Sequence, residues 1–194
     1  PKLHGYWLKR YGIKGHYVPL HIEQMDLKEA LQTLPKMGFV GANVTIPHKE
    51  TVLGLADIVT DRAALIGAAN TLIFRPDGKL YADNTDGYGF VENLRSSANW
   101  DPTSGPAAVL GAGGAARAVI ASLLEVGVPE IRLSNRTRMR SDVLRSEFGT
   151  KVVVCEWVNA ADMLDGVATL VNTTSLGMVG QPELKLSLDR LNPK

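Results

Sequence analysis

Asn43-Val44-Thr45-Ile46-Pro47-His48-Lys49 sets a lysine and a threonine directly after a run suited to a buried strand. Pro47 fits the first turn of a helix, and the pattern predicts one from residue 47 to about residue 65. Lys49 would then stand where unpaired N–H groups disfavour a cation by roughly 0.3–1 kcal/mol. Such a field pushes an amine toward its neutral form, which suits a proton carrier near neutral pH, while a close carboxylate opposes the push and orients the amine. Asp86, in Asn84-Thr85-Asp86-Gly87, is the carboxylate to consider, with Thr45, Asn70 and Thr85 as further polar residues. Each has a plainer reading. Lys49 could reach into solvent, Asp86 could cap a helix beginning near Tyr88, and Asn70 and Thr85 could be caps or turn residues.

A second group surrounds Gly111-Ala112-Gly113-Gly114-Ala115-Ala116, which follows an apolar strand and opens an alanine-rich helix. That context distinguishes a dinucleotide-binding loop from an ordinary tight turn: Gly113 lets a pyrophosphate approach the backbone, and the helix N–H groups bind it. After the next strand an acid would hold the ribose 2′-hydroxyl of NAD. The chain instead has Asn135-Arg136-Thr137-Arg138-Met139-Arg140. An acid there would repel a 2′-phosphate, whereas a guanidinium pairs with it through two hydrogen bonds, so NADP is favoured. A further turn containing Thr174 and Ser175 ends another strand at the same sheet edge. It either faces the cofactor or is a capping segment.

The elements that must position these groups alternate between β-rich and helical patterns, which argues for an α/β fold with parallel sheet. The first half reads as a helix at 3–11, a strand at 16–22, a helix at 27–37, a strand at 40–45 and the helix from 47. A hairpin of 70–74 and 79–83 about Arg75-Pro76-Asp77-Gly78 follows, then a helix at 88–95. The hairpin brings Asn70 beside Asp83 and Asn84. If its second strand runs parallel to 40–45, the Lys49 turn falls on the same edge, at strand C-termini where open α/β sheets bind ligands. The polar, turn-rich stretch 96–106 suggests a boundary, dividing a catalytic α/β domain at 1–98 from a doubly wound nucleotide-binding domain at 99–194. The second domain reads as strands at 107–110, 130–134, 151–155 and 168–173, with helices at 115–126, 138–148 and 160–164 between them.

Composition narrows the classes. Lysine and arginine number 21 against 20 acidic residues, so no overall field points to nucleic acid or an anionic membrane. One cysteine and four scattered histidines offer neither a disulfide framework nor zinc-ligand spacing. No apolar run reaches the roughly 18 residues of a membrane span, and a reducing cytoplasm is the expected location. The expected partner is a small-molecule substrate, with the chain a monomer or homodimer.

These segments together resemble shikimate dehydrogenases. Residues 43–49 match the family's N-V-T-x-P-x-K, 67–71 its G-A-x-N-T, 84–87 its N-T-D-G, 111–116 its G-A-G-G-A-A, and 135–140 its N-R-T-x-x-R. Residues 172–177 resemble its N-x-T-S-x-G turn. The resemblance implies a Rossmann-like cofactor domain beside a substrate domain, and reversible NADPH-dependent reduction of 3-dehydroshikimate to shikimate in aromatic amino acid biosynthesis. Lys49 and Asp86 would be the catalytic pair, Thr45 and Asn70 substrate ligands, and Asn135, Arg136, Thr137 and Arg140 the 2′-phosphate element. The family's first strand and serine pair would precede Pro1-Lys2-Leu3-His4, and its closing segment with a substrate-binding glutamine would follow Lys194. A quinate or quinate/shikimate dehydrogenase shares this architecture. A non-catalytic NADP-binding regulator would be easier to entertain had Lys49 or Asp86 been replaced.

Overall fold

The computed structural model describes residues 1–191. It contains two compact units, Pro1–Gly38 and the chain from Phe39 onward.

In the first unit, α1 (Lys2–Arg10) ends on Lys9 and Arg10, cations that suit the negative helix C-terminus. The His4 ring stacks on Tyr17 with centroids 4.1 Å apart and meets Trp7 edge-on at 5.6 Å. The strand expected at 16–22 does not form. No strand of either described sheet forms a ladder with it, and a strand without a ladder is not held extended. α2 (Leu27–Thr33) buries Leu27 and Leu31, and Leu34 is buried in the 3-10 turn Leu34–Met37 that follows. The four- and seven-residue spacing is that of one helix face.

Among its described residues the second unit holds two four-stranded sheets. The first comprises β1 (Gly41–Asn43), β2 (Ile58–Val59), β3 (Thr71–Phe74) and β4 (Leu80–Asp83) in the order β1-β3-β4-β2. β3 is antiparallel to β1 and β4, and β2 is parallel to β4. β1, β2 and β4 therefore run the same way and end on one edge, where β3 begins. The helix expected from 47 to 65 is replaced by a turn at 46–50, a 3-10 segment Thr51–Leu55, β2 and α3 (Asp61–Ile66). Gly54 weakens a helix there, and the β-branched Ile58 and Val59 pair with Tyr81 and Ala82 instead. Thr60 starts α3 anew by accepting the Ala63 N–H at 3.1 Å.

α4 (Asp86–Ser97) leads to the second sheet: β5 (Ala107–Leu110), α5 (Gly114–Glu125), β6 (Ile131–Ser134), α6 (Arg138–Phe148), β7 (Val152–Cys155) and β8 (Thr169–Asn172). All four strands are parallel, in the order β7-β6-β5-β8. Ala107 and Val109 face a core with α5 residues Ile120 and Leu123, while Ala108 and Leu110 face Met163 and Leu164 on the other side. A strand covered on both faces has no polar side, which is why β5 is wholly apolar. Two 3-10 turns, Trp157–Asn159 and Asp162–Leu164, replace the helix expected at 160–164. So short a run returns too few hydrogen bonds to nucleate an α-helix. α4 and α5 lie close together: a Cβ on Gly87 would come within 2.9 Å of the Ala118 carbonyl oxygen.

Candidate active site

The common edge of the first sheet gathers the polar groups. Lys49, in the turn after β1, donates to Asp86 Oδ2 at 2.6 Å, with side chains 14% and 31% exposed. Asp86 is the first residue of α4, and no side chain caps that helix. Its carboxylate faces the lysine instead. Asn70 Nδ2 donates to the other oxygen, Asp86 Oδ1, at 2.7 Å and to Thr85 Oγ1 at 3.1 Å. Asn70 Oδ1 accepts from the Thr85 N–H at 3.0 Å and from Thr71 Oγ1 at 2.8 Å. Both faces of the Asn70 amide are thus engaged in fixing Asp86 and its loop, a positioning role that its residue type alone did not reveal. Thr45 is exposed two residues beyond β1.

Lys49 stands in a turn and not in the first turn of a helix of its own, so no helix over residues 47–65 sets a field on it. The helix start it meets is that of α5. A Cβ on Gly114 would lie 2.9 Å from Lys49 Cβ and 3.5 Å from Ala68 Cβ, so the missing side chain makes room for the lysine stem.

Asn84, which the hairpin was expected only to bring beside Asn70, is fully buried. Its Nδ2 donates to the Ala68 carbonyl at 2.8 Å, and its Oδ1 accepts the Asp86 N–H at 3.0 Å. A buried amide must satisfy both ends, and here doing so joins the 67–70 turn to the aspartate. Next to it, burial pushes the Asp83 carboxyl up. Hydrogen bonds from Thr60, Arg62 and the Asn84 N–H, with the Arg62 charge, outweigh that and hold it below the ordinary 3.8.

The glycine loop lies between β5 and α5. Gly111 has φ +102°, and a Cβ there would sit 2.6 Å from Thr173 Oγ1. That hydroxyl donates to the Leu110 carbonyl at 2.6 Å, fastening the turn after β8 to the loop. β5 and β8 are neighbours leading in opposite directions across the sheet, so the loop and this turn flank the topological switch point, where doubly wound sheets take their ligands. A Cβ on Gly113 would meet nothing within 4 Å, and no side chain caps α5. Open backbone beside uncapped N–H groups, from Gly114 through Ala115 and Ala116, fits a pyrophosphate.

Arg136 and Arg140 are exposed, and neither side chain has an ion pair or hydrogen bond among the described residues. Arg138 differs: it pairs with Glu156 and, at 3.6 Å, with Asp142. Two of the three clustered arginines therefore remain for a phosphate. Asn135 Nδ2 donates to the Thr137 carbonyl at 2.9 Å, fixing that loop. Thr174 is engaged within its own turn, donating to Asn172 Oδ1 at 2.7 Å and accepting the Leu176 N–H at 3.1 Å. Among the described residues no group of acids, histidines and cysteine is arranged to hold a metal, and no helix is long and apolar enough to cross a membrane.

Over its full length the chain is 70% identical to a shikimate dehydrogenase (NADP(+)) of Cereibacter sphaeroides, of which it covers 70%. The chain belongs to the shikimate dehydrogenase family. The family model described as the shikimate dehydrogenase substrate binding domain matches residues 1–72. Among solved structures of the family, the Aquifex aeolicus enzyme superposes with a TM-score of 0.88 at 34% identity, covering 98% of this chain and 69% of that one. The Thermus thermophilus enzyme, in complex with NADP(H) and shikimate, gives 0.85 at 34% identity with the same coverage.

Proposed function

We propose that this chain is an NADP-dependent shikimate dehydrogenase in which Lys49 and Asp86 carry the proton chemistry. The observation that supports the reading is the Lys49–Asp86 ion pair, with the lysine stem packed against Gly114, the first residue of the glycine-loop helix. Proton transfer and dinucleotide binding would then lie side by side. Bound NADPH would supply the hydride to the substrate carbonyl carbon. Residues 111–116 would hold the pyrophosphate, Asn135, Arg136, Thr137 and Arg140 the 2′-phosphate, and Thr174 and Ser175 would border the cofactor. Residues 1–98 would serve the substrate and 99–194 the cofactor.

As the carbonyl becomes a hydroxyl, its oxygen needs a proton. An ammonium has three hydrogens. Asp86 takes one of Lys49's and fixes the direction of the others, leaving them free for the substrate oxygen. Asn70 and Asn84 hold Asp86 in place, and Thr45 and Asn70 would border the ring. In the reverse direction the Lys49 amine accepts the hydroxyl proton.

The test is turnover, followed by nicotinamide absorbance: NADPH with 3-dehydroshikimate, and NADP with shikimate and with quinate. NADP reduction with shikimate in clear excess over quinate is the expected outcome. A chain that binds NADP and turns over neither acid would refute the reading.

A further inference from the structure

Arg117 stands one turn into α5, behind the glycine loop, and neither the proton chemistry nor cofactor capture described above uses it. Its side chain is 12% exposed. Nε donates to the Ile66 carbonyl at 2.6 Å, Nη2 pairs with Glu147, and the guanidinium carbon lies 6.0 Å from the centroid of the Phe148 ring. One planar group on α5 thereby joins the end of α3 to the end of α6. The Ile66 carbonyl belongs to the last turn of α3, whose oxygens lack partners within the helix. A guanidinium's rigid fork serves a carbonyl and a carboxylate at once, which a compact ammonium at that distance does not.

The fit around it is close. Gly67 has φ +71°, and a Cβ there would lie 2.7 Å from Arg117 Cζ, so both backbone shape and space call for glycine. The chain then enters the turn that assembles the site. The Ala69 N–H donates to the Lys49 carbonyl at 2.8 Å, the Ala68 carbonyl accepts from Asn84 at 2.8 Å, and Asn70 holds Asp86.

We propose that Arg117 is a positioning residue for hydride transfer, tying the 67–70 turn, and through it Lys49 and Asp86, to the helix that receives the dinucleotide. The proposal rests on the functional reading above. Reacting carbons must approach to about 3–3.5 Å, while the groups that hold them belong to different sheets. A stiff tie between those sheets is what maintains that distance.

Two variants of the full chain test it: Arg117→Lys, which keeps the charge but not the fork, and Glu147→Gln, which releases one end of the guanidinium without touching α3. The first readout is amide hydrogen exchange without cofactor. In Arg117→Lys the Ala68, Ala69 and Asn70 amides should exchange about tenfold faster, with Ile120 and Leu123 of α5 as in wild type. The second is single-turnover NADPH oxidation by 3-dehydroshikimate, slowed by roughly 10- to 100-fold, with NADP affinity held within about twofold. Glu147→Gln should show the same pattern at smaller size. Wild-type exchange at 68–70 in Arg117→Lys, or equal acceleration there and throughout α5, would overturn the tie. If the wild-type chain transferred no hydride, the functional reading would fall while the exchange data still decided the tie.

Discussion

Alanine at Gly113 and alanine at Gly114, adjacent residues of one loop, should damage different things. A Cβ on Gly114 would stand 2.9 Å from Lys49 Cβ and 3.4 Å from its Cδ. Carbons rest at about 3.5–4.0 Å, so the lysine stem must retreat by roughly 0.6–1 Å. A misplacement near 1 Å costs on the order of 100-fold in rate, and the crowding itself about 1–3 kcal/mol, or about 2–4 °C of Tm per kcal/mol in a chain of this size. Gly114→Ala should therefore lower kcat steeply and Tm measurably. Gly113 has φ −106° and open space about its Cβ position, so Gly113→Ala should fold and melt as wild type. Its methyl would occupy the approach to the helix N–H groups and weaken NADP binding. Thermal unfolding, NADP titration and single-turnover kinetics on both variants separate the two effects. Wild-type kcat in Gly114→Ala, or unchanged NADP affinity in Gly113→Ala, would refute the geometry.

Lys49→Ala should lower kcat by roughly 10²- to 10⁴-fold with NADP affinity retained. Asp86→Asn should also lower it, and in steady-state kinetics the double variant should lose less than the product of the single effects. Arg136→Ala should weaken NADP binding much more than NAD binding, since only NADP carries the 2′-phosphate; equal losses in titration would remove the residue from that role. Asp83, held below 3.8, contributes stability that is present above its unfolded value and lost as pH falls through its lower folded value. Acid unfolding followed below about pH 4 should accordingly be less steep in Asp83→Asn than in wild type.

The Lys49–Asp86 meeting was legible because strand direction was: a hairpin with an Asp-Gly turn reverses the chain once, which sends β4 the same way as β1. The helix expected to begin beside Lys49 does not form. A helix from residue 47 looked continuous only because local pattern says nothing of β2, whose two residues are strand solely through pairing with Tyr81 and Ala82. The second sheet was readable to within a residue at each strand end, since its central strands β5 and β6 are almost wholly buried and α5 and α6 open after loops of distinct chemistry, whereas the helix expected at 160–164 gives way to 3-10 turns. The bonds that Arg117 and Asn84 make were not legible for another reason. Their partners, Ile66 and Ala68, offer backbone carbonyls, which every residue has and no sequence pattern marks.

With its charges 2.6 Å apart, the Lys49–Asp86 pair is a dipole to anything approaching from a distance. Its field dies away within a few ångströms, and added salt has little left to screen. Arg136 and Arg140 keep their full charge toward solvent. On the proposed assignment the two ligands would arrive under different rules: the phosphate-bearing one would be drawn in across water at a rate that ionic strength tunes, whereas the one that meets Lys49 and Asp86 would get no long-range pull from them and would find the pair by collision and fit.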